Sequence, residues 1–178
     1  MKKIFLPLLL LCSILSFSNN YLSINNPQNW RNYNAVINEA EITVRPVGAF
    51  VEYALTLSIG GLQPINEPDE EQLEIVLHFD LPSNSIVIDS WLWIEGTPKQ
   101  ADLLDRWTAS AIYESIVNRR KDPSLLVKNG KDQYKINIYP MKTKESRKFK
   151  IVYLSPAKYI GTQLSLDIPS NILNLSST

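Results

Sequence analysis

A nucleophile needs a base beside it, and this chain offers one histidine. His78 lies within an alternating apolar stretch, and no Gly-x-Ser-x-Gly elbow occurs to partner it. It reads as a sheet-surface residue, and the chain is expected to be non-enzymatic. Asp69, Glu70 and Glu71 lie together and could coordinate a hard cation, but they lack the spaced ligands and glycine of a calcium loop. They read as a solvated loop. Trp91 and Trp93 share one face of a strand and could stack on sugar rings. Beside Trp107, the competing reading makes them core under a covering helix, and the core set expected here is Trp91, Trp93, Trp107, Tyr113 and Tyr153. The basic strip Lys142, Lys144, Arg147, Lys148 and Lys150 has only Phe149 interleaved, which is too sparse for nucleic acid. Cys12 is the only cysteine, so neither a disulfide framework nor a cysteine metal site can form, and no cofactor is expected.

Charge divides the chain although the formal net charge is zero. Acids dominate between Ile37 and Gly96, with Arg45 the one base there, and bases dominate between Thr97 and Tyr159. Solvated faces that meet and partly neutralise each other account for such a division. The sharper reading is two electrostatically distinct faces, one suited to an acidic partner or an anionic glycan. On that reading the interaction surface would comprise Glu67, Asp69, Glu70 and Glu71 with Lys142, Lys144, Arg147 and Lys148.

The elements that must position these residues follow a leader. Lys2 and Lys3 precede an apolar run from Ile4 to Phe17 that closes on Ser16-Phe17-Ser18, the pattern of a secretory signal peptide over 1–18. A spanning helix needs about 20 apolar residues, so no transmembrane span is expected after cleavage. The polar, Asn-rich stretch 19–36 reads as a linker. Alternation then begins. Ile42 and Val44 oppose Thr43 and Arg45, Gly48 turns the chain, and Val51, Tyr53, Leu55, Leu57 and Ile59 share the next face, so a hairpin is expected. Further strands are expected around Leu73–Leu81, Ile86–Ile94, Leu125–Val127, Tyr134–Ile138, Phe149–Tyr153 and Leu164–Ile168. Asn129-Gly130 suggests a two-residue primed turn. A helix over about 98–121, with Thr97 as its cap, would bury Leu104, Trp107, Ala111, Ile112 and Ile116. Together these give a mainly β fold, an antiparallel β-sandwich or flattened barrel of about eight strands with one inserted amphipathic helix. The domain is expected over 37–169, with 170–178 a C-terminal tail.

Leu81-Pro82, the strand Trp91-Leu92-Trp93-Ile94-Glu95-Gly96, the segment Ala111-Ile112-Tyr113-Glu114, the run Asn118 to Leu126 through Asp122-Pro123, Tyr134 to Pro140, and Lys150-Ile151-Val152-Tyr153 occur in an order that resembles the vault protein and inter-alpha-trypsin (VIT) domain, in its bacterial branch. The resemblance spans roughly Ile37 to Tyr159. It implies a β-rich interaction or scaffold domain with no catalytic residues to carry over. It also implies a protein partner or an adjacent domain, commonly a von Willebrand A-type domain downstream, whose Asp-x-Ser-x-Ser motif does not occur here. The chain would then be a stand-alone copy or the front piece of a longer protein, secreted or held at the cell surface or in the periplasm. A cell-surface glycan-binding module using Trp91, Trp93 and the basic strip is the alternative.

Overall fold

The computed structural model describes residues 20–62, 64–102, 104, 106–118 and 123–176. The expected signal peptide at 1–18 lies outside them.

Period-two alternation organises the described residues into one curled antiparallel sheet of nine strands, a half-barrel consistent with the expected flattened barrel of about eight strands. The strands are β1 (Tyr21–Asn25), β2 (Asn32–Val47), β3 (Phe50–Gly61), β4 (Leu73–Asp80), β5 (Ile86–Ile94), β6 (Thr97–Gln100), β7 (Ser124–Lys128), β8 (Gln133–Met141) and β9 (Arg147–Pro156). Their order across the sheet is β6-β5-β9-β3-β2-β1-β4-β8-β7. A small two-stranded sheet, β10 (Lys158–Ile160) with β11 (Gln163–Ser165), follows. The helices are α1 (Arg106–Asn118) and α2 (Ser170–Leu173).

One face of the curl is the core. Tyr53, Leu55, Leu57 and Ile59 of β3, Ile75, Leu77 and Phe79 of β4, Ile136 and Ile138 of β8, and Phe149, Ile151 and Tyr153 of β9 are all buried there. Each alternates with residues that point outward, so one register decision per strand fixes its whole apolar set. Tyr53 and Tyr153 stack with ring centroids 5.0 Å apart. The Tyr53 hydroxyl accepts the backbone N–H of Asp167 at 3.1 Å, so the C-terminal segment closes over the ring pair.

Several expectations change. The stretch 19–36 is not a linker: β1 bridges β2 and β4, and Leu22 and Ile24 enter the core. The tail from 170 is likewise part of the fold, since Ile172 is fully buried and the Ser176 hydroxyl accepts the Ile37 N–H at 3.0 Å. The helix begins at Arg106 rather than near 98. Glu95 and Gly96 both take positive φ (49° and 76°), forming a two-residue turn that pairs Ile94 with Thr97 and makes Thr97–Gln100 a strand. The hairpin after Lys128 forms, but its loop is Gly130–Asp132, closed by the Asn129 N–H donating to Gln133 O at 2.8 Å. Asp132 sets that length because its carboxylate accepts from Ser83 Oγ at 2.9 Å and its carbonyl accepts from Leu81 N at 2.9 Å. The last expected strand shortens to β11, leaving Leu166 and Ile168 exposed.

Helix α1 contacts β7 and turns Ala109, Tyr113, Ile116 and Val117 inward, while Ile112 is exposed and Trp107 is 85 % exposed. Trp107 is therefore not core. The Tyr113 phenol sets the rotation by donating a short hydrogen bond to Glu74 of β4. Burial, followed by the Glu74 charge, pushes this phenol's pKa far up, so it stays a donor.

Candidate interaction surface

The outward positions of β5, β9, β3 and β2 line up in register. Trp91 of β5 stands opposite Lys150 of β9, Lys150 opposite Thr56 of β3, and Thr56 opposite Glu41 of β2. The next row on the same face continues from Trp93 through Lys148 and Ser58 to Glu39. Each row thus runs from an aromatic ring through a cation and a hydroxyl to a carboxylate. Leu92, between the two tryptophans, points to the other face and is buried. Parity therefore puts Trp91 and Trp93 on the exterior of the sheet, half-buried, and neither belongs to the core cluster.

The lysines hold the rings in place. Lys150 Nζ lies 4.7 Å from the Trp91 ring centroid and Lys148 Nζ 5.3 Å from that of Trp93, both within cation–π range. Both lysines are half-buried on this face. The Trp91 indole Nε1 is buried with no acceptor among the described residues. Beside Lys148 a shallow open groove of about 200 Å³ is lined by Glu39, Glu41, Thr56 and Ser58 with the backbone between them. The surface offers flat apolar area, two cations and two carboxylates in fixed rows, which suits recognition of an extended partner with alternating charge.

The family model of the vault protein inter-alpha-trypsin domain matches residues 37–153. The chain belongs to the VIT domain family. That match takes in the Trp/Lys rows entirely, whereas β1 and α2, which complete the core of this VIT domain, lie outside it. No curated protein matches the chain.

The residues singled out in the sequence disperse over this VIT domain. Glu67 is turned in, its side chain 5 % exposed, where it accepts from the Tyr33 phenol in a short bond and from Asn29 Nδ2 at 3.0 Å, with Arg31 at 3.5 Å. The Tyr33 bond, foremost, holds its carboxyl below the usual range. Asp69 is paired with Lys144 at 2.8 Å and Thr143 at 3.1 Å, and Lys144, the main cause, lowers its pKa too. Glu71 accepts from Asn26 Nδ2 at 3.5 Å, Glu70 is exposed, and Lys142 faces Glu145 at 3.5 Å. Arg147 is half-buried at the start of β9 opposite Ile59. The acidic and basic loops are thus joined to each other and do not form two separate faces. Of the eight residues, Lys148 alone stands in the tryptophan rows. Of the expected core set, Tyr153 is fully buried and Tyr113 half-buried.

Sequence reading missed Glu39, Glu41, Thr56 and Ser58 as partners of Trp91 and Trp93. The available signal was parity, because Lys148 and Lys150 alternate with buried Phe149 as the two tryptophans alternate with Leu92. Which strands lie side by side could not be read from alternation alone.

Proposed function

We propose that this VIT domain is an exported, non-catalytic interaction domain that docks a partner chain or an adjacent domain on the exterior of β5, β9, β3 and β2. The observation that carries this reading is the register of Trp91–Lys150–Thr56–Glu41, with the neighbouring row of Lys148–Ser58–Glu39 and Trp93 beneath Lys148, on one accessible face. Tryptophan is among the residues that most often anchor protein interfaces. The Lys2–Ser18 leader supports export, and His78, stacked on Tyr21 without a nucleophile beside it, supports the absence of catalysis. The test is recovery of the exported protein with its bound partner. Lys148→Glu/Lys150→Glu, folded by circular dichroism, is expected to lose the partner, and undiminished recovery contradicts the reading.

A glycan-binding module is the second reading, favoured by the exterior position of two tryptophans on one strand face. Lys148 and Lys150 lie over those rings, so a sugar would have to displace them before stacking. Retention on polysaccharide that is lost in Trp91→Ala/Trp93→Ala but kept in the double lysine variant would favour this second reading.

A further inference from the structure

The sheet splits at β2. Strand β1, whose other edge pairs with β4, covers β2 only at Asn32–Asn34, while β2 continues to Val47 against β3. Among the described residues no strand lies on the other side of β2 beyond Asn34. The Ser176 hydroxyl takes the N–H of Ile37, and from Asn38 to Val47 every residue is exposed except Ile42 and Val44, which are half-buried. Two irregularities bound this free edge. A bulge between Ile37 and Glu39 interrupts the ladder at one end, and Pro46 removes a donor at the other. What remains is a regular seven-residue window, Glu39–Arg45, with one row of backbone donors and acceptors unpaired. An edge of this kind is a template for strand addition.

Its side chains specify which strand. Opposite β3, the outward residues are Glu39, Glu41, Thr43 and Arg45, and the inward residues are Ala40, Ile42 and Val44. Ile42 is the centre of the window. A two-fold axis there, perpendicular to the sheet, sets the segment antiparallel to itself with Glu39 opposite Arg45, Ala40 opposite Val44, Glu41 opposite Thr43, and Ile42 opposite Ile42. Antiparallel partners point to the same face, so opposite charges meet outside and apolar residues meet inside, where Ile42 and Val44 already pack on the core. Arg45 also lies diagonal to the second copy's Glu41. Within one copy Arg45 is paired with its cross-strand neighbour Glu52 of β3, with Nη2 2.9 Å and 3.0 Å from the two carboxylate oxygens. We infer that the occupant of the β2 edge is a second copy of this chain, joined at Glu39–Arg45 in an isologous pair that extends the sheet. The tryptophan rows of both copies then lie on one continuous exterior face. This inference concerns self-association and stands apart from the partner proposed above.

Charge exchange tests it by sedimentation velocity on the purified protein. The wild type is expected to form dimers. R45E alone places only acids on the outer row, E39K/E41K alone places only bases there, and each is expected to weaken the dimer by on the order of tenfold or more. An equimolar mixture of the two variants is expected to restore dimers as a heteropair, a rescue that damage to either fold cannot produce. Amide exchange at residues 39–45 is expected to slow as protein concentration rises. A wild type that stays monomeric at the highest concentration reached, or a mixture that gives no more dimer than its components, overturns the inference. A monomer that still holds a partner on the tryptophan face overturns this inference and leaves the interaction reading intact.

Discussion

Lys144 Nζ lies 2.8 Å from Asp69 Oδ2, and the Thr143 hydroxyl donates to Asp69 Oδ1 at 3.1 Å. This contact joins the acidic loop after β3 to the basic loop between β8 and β9, 75 residues apart in the chain. The acidic and basic stretches of the sequence therefore meet in this ion pair, and the recognition surface proposed above lies elsewhere, on the exterior of β5, β9, β3 and β2.

Acid is expected to loosen these loops first. Asp69 and Glu67 both have carboxyl pKa values lowered by folding, through Lys144 and through Tyr33 respectively. As pH falls, the unfolded chain takes up these protons before the folded one does. Their contribution is thus complete above the ordinary carboxylate range of about 4 to 4.5, and it is lost as pH falls through the lowered folded values. Urea midpoints are expected to drop below that range in the wild type and to drop less in the Asp69→Asn/Glu67→Gln variant. Parallel curves would contradict this assignment.

His78 gives a separate transition at higher pH. Its ring stacks on Tyr21 at 4.3 Å, and burial, followed by the Lys135 charge across β8, depresses its pKa. A depressed histidine stabilises the fold above its unfolded value of about 6.5, and that contribution is lost as pH falls through the folded value. The denaturant midpoint is expected to fall between about pH 7 and pH 5, and His78→Phe, which keeps the stack on Tyr21, is expected to flatten that slope. A slope that survives the substitution assigns it to other groups.

Core and exterior aromatics are expected to differ sharply in cost. Phe149 is fully buried between β3 and β5, and Phe149→Ala is expected to cost about 3–5 kcal/mol of stability. Trp107, at 85 % exposure, has little area to lose, and Trp107→Ala is expected to cost less than about 1 kcal/mol. Chemical denaturation of both variants checks the pair. Equal costs would mean that α1 buries its tryptophan after all.

Much of this fold was legible because burial and backbone period coincide. Val51 to Ile59 and Phe149 to Tyr153 alternate without interruption, and both strands lie with those residues inside. The order of motifs from Leu81-Pro82 to Tyr153 likewise indicated the family. Legibility failed where local signals competed. Thr97-Pro98 looks like the start of a helix, yet the left-handed pair Glu95-Gly96 directs it into a hairpin. Trp107 occurs at helical spacing with apolar neighbours, but Tyr113 takes the inward position because its phenol finds Glu74. The Asn-rich stretch before Asn34 concealed Leu22 and Ile24, whose five-residue strand is stabilised from both sides by tertiary pairing rather than by its own propensity. The tryptophan rows depend on which strands are neighbours, a long-range property that no single segment encodes.

The proposed recognition surface is tested most directly by contact itself. A photocrosslinking side chain placed at Lys148, in protein exported from producing cells, is compared with the same group at exposed Glu114 on α1. The account expects a discrete adduct of higher mass at position 148, abolished by Trp91→Ala/Trp93→Ala, and none at position 114. Adducts at 114 but not at 148 would contradict it.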